Sequence, residues 1–216
     1  RGGDGNDMLA GGNGHDYMDG GTGNDTLKGN NGSDSVVGGA GVDTLFGGGG
    51  QDTLVGGGSD DRLDGGGSND TLRGDAGDDL LLGDVGADSL LGDVGADTLN
   101  GGSEGDVLVG DNGDVLTGGS GVDAFGVQVT KAAGAALLTE NVMTVTDFTA
   151  NETLQVLLTN ADGSSADLTG ASLQLVADGA NTNVLVSFGG GPGTLVATLQ
   201  NITPTQITAG SITLTN

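Results

Sequence analysis

A nine-residue phrase recurs without interruption from Gly2 to Gly126 and leaves the chain few ways to fold. Gly2-Gly3-Asp4-Gly5-Asn6-Asp7-Met8-Leu9-Ala10 is the first copy, and Gly38-Gly39-Ala40-Gly41-Val42-Asp43-Thr44-Leu45-Phe46 is another. Copies begin at Gly2, Gly11, Gly20, Gly29, Gly38, Gly47, Gly56, Gly65, Gly74, Gly83, Gly92, Gly101, Gly110 and Gly118. Of these 14 copies, 13 have nine residues and one has eight. The pattern is G-G-x-G-x-D-x-U-x, with U a large apolar residue. Every copy keeps the first glycine. Every copy also keeps the aspartate: Asp7, Asp16, Asp25, Asp34, Asp43, Asp52, Asp61, Asp70, Asp79, Asp88, Asp97, Asp106, Asp114 and Asp123. The apolar position is just as regular, from Leu9 and Met18 through Leu116 to Phe125.

This phrase resembles the calcium-binding nonapeptide of RTX (repeats-in-toxin) proteins, which winds as a parallel β-helix. The resemblance implies an all-β chain: a right-handed parallel β-roll over residues 1–126, followed by a smaller β-rich region over 127–216. Gly-Gly-x-Gly-x-Asp reads as a turn, and x-U-x as a three-residue strand whose central residue points inward. Glycine suits the turn because it takes positive φ without steric cost and lets a backbone or an ion approach closely. One copy makes half a coil, so copies two apart stack about 4.8 Å from each other.

Stacking puts Asp7, Asp25, Asp43, Asp61, Asp79, Asp97 and Asp114 on one edge. Asp16, Asp34, Asp52, Asp70, Asp88, Asp106 and Asp123 fall on the other. Two ladders of carboxylates at that spacing repel each other unless a cation lies between rungs. Calcium fits the need, since it accepts six to eight oxygens from carboxylates and backbone carbonyls, whereas magnesium demands strict octahedral geometry. The expected ligands are these aspartates and the glycine-rich turns from Gly2 through Gly92. Seven rungs per edge leave room for 12 ions in all, or slightly fewer. The eight-residue copy Gly110–Thr117 is the expected weak point. Its ion, between Asp97 and Asp114, is expected to be absent, displaced or completed by water, with Asp111 as the substitute ligand. Its lost residue is also expected to tilt the last coil.

Other departures are local. The second position holds Asn30, Asp75, Asp84, Asp93 or Asp111 in five copies, and an acid there adds negative potential beside the ion. The fourth holds Ser59, Ser68 or Glu104 in three, which predicts backbone strain. Outward strand positions carry Val37, Phe46, Val55, Leu80, Leu82, Leu91, Val107, Val109 and Val115. The cluster from Leu80 to Val115 reads as scattered surface apolars or as a docking face.

Charge and composition limit the function. The chain of 216 residues has a formal net charge of −25, and residues 1–126 hold 24 of its 30 acids. Such a chain is unsuited to nucleic acid. It has no cysteine, so no disulfide holds it. No apolar run is long enough for a transmembrane helix. With one histidine and no cysteine, no standard nucleophilic triad is available, and the chain is not expected to be an enzyme. His15 sits in a turn as a solvent-facing residue. Asn24, Asn69, Asn151 and Asn201 match Asn-x-Thr by composition. No N-terminal signal is visible. Arg1 stands at position nine of a preceding copy, which predicts upstream domains in a larger parent protein.

After Gly126 the glycines thin. Residues 131–136 read as a loop or short helical turn. Strand-like runs follow at Val142–Phe148, Thr153–Leu158, Ser172–Val176, Asn183–Phe188, Thr194–Leu199 and Ser211–Leu214, with turn signals between them. A small β-sandwich that caps the roll is the expectation, because repeat arrays need capped ends. Val145-Thr146-Asp147-Phe148 with Asn151-Glu152-Thr153-Leu154 resembles the segment that follows RTX repeats in secreted bacterial proteases, lipases and alginate epimerases. Asn183–Phe188 with Thr194–Asn201 resembles the next hairpin of those tails. The family implies a C-terminal signal read by a type I secretion apparatus, with an extracellular or cell-surface destination. The closing Ile212–Asn216 lacks the acid common at such ends. The reading is therefore a calcium-gated secretion and folding module. The alternative is the assembly or anchoring region of a surface-layer or adhesive matrix protein, with self-association.

Overall fold

The computed structural model describes residues 1–111, 113–131, 143–149, 151–160, 171–178, 180–188, 194–200, 202–206 and 212–215. Each repeat supplies one strand, and successive strands alternate between two sheets of 10 and 11 strands. Within a sheet, neighbouring repeat strands are parallel and 18 residues apart, as in Leu27 beside Leu45 and Val36 beside Leu54, or 17 across the short copy, as in Leu99 beside Leu116. All β-strands apart from the short 3₁₀ turn Pro204–Gln206, the described residues contain no helix able to cross a membrane.

The strands are longer than the three residues the pattern suggests. Most span six, such as Thr26–Asn31 and Leu80–Val85, and run on into the next copy. Glycine causes this. The apolar residue and the following first glycine both face inward, two residues apart, and both are buried. The glycine leaves room for the backbone to keep pairing where a side chain would block it.

The inward apolars form one column. Thirteen consecutive members, Met18 through Phe125, are buried at 4 % exposure or less, and Leu9 at the end of the column is half-buried against them. Burying a leucine is worth roughly 1.5–3 kcal/mol, so the column supplies most of the attraction between the sheets.

The column continues into the tail. Phe125, Val127, Met143, Val145, Phe148, Leu154, Val156, Val184 and Ile202 belong to the same buried cluster. Tail strands also join the roll's own sheets. Ala124–Lys131, Thr153–Asn160 and Ile212–Thr215 extend one of them in parallel. Met143–Val145 and Thr194–Leu199 extend the other in parallel, and Asn181–Phe188 and Ala171–Asp178 finish it antiparallel. All six runs expected in the tail correspond to strands, within a few residues at their ends. The loop expected at 131–136 falls, beyond Lys131, outside the described residues.

The apolar cluster from Leu80 to Val115 does not make one docking face. Leu80, Leu82 and Val115 lie in the 11-stranded sheet, and Leu91, Val107 and Val109 in the other. Alternate copies go to opposite sheets, so nearness in sequence does not place them together.

Candidate metal centre

The repeat aspartates stand at the turns that feed each strand, and their two oxygens have different lives. Oδ1 accepts the backbone N–H of the aspartate one coil earlier. Asp25 Oδ1 takes the Asp7 N–H at 2.7 Å, and Asp61 Oδ1 takes that of Asp43 at 2.7 Å. The bond repeats along both edges as far as Asp97 to Asp114 and Asp106 to Asp123. Oδ2 is left over. In 13 of the 14 aspartates it is buried and has no hydrogen-bond partner. A buried acceptor without a partner costs about 1–3 kcal/mol, more when charged, so 13 in register call for a ligand.

The first glycines stand against these oxygens. A Cβ at Gly20 would collide with Asp25 Oδ2 and lie 2.6 Å from the Gly38 carbonyl oxygen of the next coil. Gly2, Gly29, Gly38, Gly47, Gly56, Gly74 and Gly83 show the same pair of neighbours, a carboxylate and a carbonyl. At Gly11, Gly65 and Gly92 the carboxylate is the nearest neighbour. None of these glycines has positive φ. Their role is close approach, and positive φ belongs to the second and fourth positions, as at Gly21 and Gly23. The carbonyl, the carboxylate and the absence of a side chain make an all-oxygen cradle. That donor chemistry suits a hard cation such as calcium. Among the described residues no three acidic or histidine side chains gather as a metal cluster. The centre is therefore a repeated arrangement of carboxylates and backbone.

Without a cation the ladder is electrostatically strained. Burial, offset in part by the backbone N–H and reinforced by neighbouring carboxylates, pushes Asp61, Asp70, Asp97 and Asp106 up to about 7. Burial also raises Asp43, Asp52, Asp79, Asp88, Asp114 and Asp123. A positive ion beside them would reverse that direction by favouring the charged form.

The short copy is the exception that the eight-residue spacing suggests. Asp114 is the one ladder aspartate whose Oδ2 has a partner in the protein: it accepts the Asp111 N–H at 2.7 Å. Oδ1 still accepts the Asp97 N–H at 2.8 Å. The missing residue is absorbed inside the turn, because Leu116 pairs with Leu99 in unbroken register. The coil continues its stacking.

Two features escape the repeat pattern. Position five, written x, carries a second ladder. Asn6 Oδ1 accepts the Asn24 N–H at 2.9 Å, and Asp60 Oδ1 accepts the Asp78 N–H at 3.0 Å. His15 joins it, with Nδ1 accepting the Ser33 N–H at 3.0 Å. The enrichment of Asn, Asp and Ser at this position is the signal in the sequence. Asp147 is the other. Its carboxylate accepts the N–H groups of Gly118 at 2.9 Å and Gly119 at 2.7 Å, closing the last glycine turn.

No curated protein matches the chain. The family model of the RTX calcium-binding nonapeptide repeat, which describes four copies at a time, matches residues 1–27, 19–54, 28–63, 55–90, 82–115 and 91–125. These overlapping matches run the length of the aspartate ladders and cover more than half of the chain. With the two-sheet roll they show that the chain belongs to the family of RTX calcium-binding repeat proteins.

Proposed function

We propose that the chain is a folding switch thrown by calcium, serving the export of a larger secreted protein. The ladder aspartates other than Asp114 are its ligands through Oδ2, and the first glycines contribute carbonyls. The 13 buried, unpartnered carboxylate oxygens carry this reading. In the absence of calcium they leave the roll repelling itself, and the chain stays extended enough to be threaded through an export channel. In millimolar calcium outside the cell, ions enter between rungs and the two sheets close on the apolar column. The tail, whose strands continue both sheets, covers the last coil and offers the exporter its signal. No catalytic role is assigned to the chain itself.

The experiment is an export assay. A passenger placed ahead of the chain is produced in cells that carry a type I exporter. Passenger in the medium, lost when the exporter is removed, supports the proposal. Retention inside cells with a working exporter contradicts it.

A further inference from the structure

The six copies from Gly2 to Val55 and the six from Gly56 to Val109 have the same length and the same ladder, but not the same charge. Each set carries six ladder aspartates. The first set adds two acids, Asp4 and Asp19, and Asp19 is paired with Arg1 at 3.2 Å. The second set adds seven. Two of these are neutralised, Asp64 by Arg62 and Asp75 by Arg73, each at 2.9 Å. Asp60, Asp78, Asp84, Asp93 and Glu104 form no ion pair among the described residues. Asp60 and Asp78 stand at position five, next to Asp61 and Asp79. No acid occupies that position in the first set. The hydrogen bond made there is the same in both. Asn6 Oδ1 accepts the Asn24 N–H at 2.9 Å, and Asp78 Oδ1 accepts the Ala96 N–H at 2.9 Å. The aspartates keep the bond and add a charge. On the other edge, Asp84 lies in the turn that leads to Asp88. The cradle itself does not differ: Gly20 and Gly38 in the first set, and Gly74 and Gly83 in the second, each stand against a ladder Oδ2 and a carbonyl.

We infer that the ladder is graded: the rungs within residues 56–109 take up calcium at a lower concentration than those within 2–55, which gives the roll two calcium thresholds. The inference rests on the calcium reading of the ladder and adds to it the order of filling. With like cradles, affinity for calcium is set by the charge gathered around the ion. Beside burial, the charges of Asp60, Asp75 and Asp78 act on Asp79, and those of Asp84 and Glu104 act on Asp88. On Asp43 and Asp52 the acting charges are those of the ladder itself, Asp25 and Asp34. A divalent cation gains about twice as much from such a potential as a proton does. Adjacent residues also lie inside the roughly 8 Å over which physiological salt screens a charge. Repulsion without the ion is therefore greatest in the second set, and so is the relief when the ion enters. Each set buries its own length of the apolar column, so each folds cooperatively at its own threshold.

Hydrogen exchange of the full chain, read by mass spectrometry at stepped calcium concentrations, gives a midpoint of protection for each set. Residues 56–109 are expected to become protected at several-fold less calcium than residues 2–55. Equal midpoints, or the reverse order, overturn the inference and leave the ladder standing. The double variant Asp60→Asn with Asp78→Asn separates charge from nearness to the tail, because asparagine keeps the position-five hydrogen bond. It is expected to raise the midpoint of 56–109 several-fold and narrow the gap. An unchanged gap overturns the inference. Should that variant not fold, Asn6→Asp with Asn24→Asp decides. A lower midpoint for 2–55 supports the grading, and an unchanged one overturns it. Protection that does not depend on calcium in either set overturns the ladder reading, and the grading with it.

Discussion

At the second position, every residue that replaces glycine is Asn or Asp. Asn30, Asp75, Asp84 and Asp93 adopt positive φ between 67° and 79°. Asn and Asp enter that region more easily than other residues with side chains, so backbone geometry selects them as much as charge does. Position four is less fortunate: Ser59, Ser68 and Glu104 are held at φ of 82°, 84° and 82°. Left-handed backbone costs such residues roughly 1–2 kcal/mol, and glycine loses roughly 0.4–1 kcal/mol through the freedom of its unfolded chain. Glu104→Gly in saturating calcium is therefore expected to stabilise the roll by about 0.5–1 kcal/mol, read from denaturant midpoints. A lower midpoint would contradict it. The aspartates divide in the same concrete way. Asp61→Asn removes a charged Oδ2 that has no partner in the protein, and is expected to raise the calcium concentration needed for folding several-fold. Asp114→Asn puts an amide against the Asp111 N–H. Its cost, about 1–2 kcal/mol, is expected to stay much the same whatever the calcium concentration. Equal calcium dependence in the two variants would refute the distinction.

Strands and turns explain why so much was legible in the sequence. The 18-residue register, the two edges and the inward column all follow from one period, since neighbours in a sheet are copies two apart. What the pattern hides is what departs from side-chain identity. The six-residue strands depend on glycines that pair as backbone, and a pattern marks those only as turn residues. Strand pairing continues past Gly126 without the glycines, and only the register of Val145 with Leu116 and of Leu154 with Phe125 reveals it. The satisfied Oδ2 of Asp114 depends on the path of a turn shortened by one residue. That last point can be reversed. Inserting one glycine between Asp111 and Gly113 restores the nine-residue spacing. It is expected to release Asp114 Oδ2 from the Asp111 N–H and add one bound calcium. No gain in calcium count would show that the short turn already binds as its neighbours do.

For the whole molecule, charge and fold oppose each other until a cation arrives. The folded carboxyls near 7 lie above the ordinary value of 3.8, so the folded chain without metal binds more protons than the unfolded one. Their contribution is complete below pH 3.8 and is lost as pH rises through about 7. In chelator, residual β-structure is therefore expected to increase as pH falls from 8 to 5. In calcium the trend reverses, because protons compete for the same oxygens, and the calcium midpoint is expected to rise over that range. Far-UV circular dichroism of the full chain, titrated from chelator to millimolar calcium at neutral pH, tests the switch most directly. The expected course is a disordered spectrum that converts cooperatively to a β-rich one as calcium rises. A β-rich spectrum in chelator that calcium leaves unchanged would contradict it.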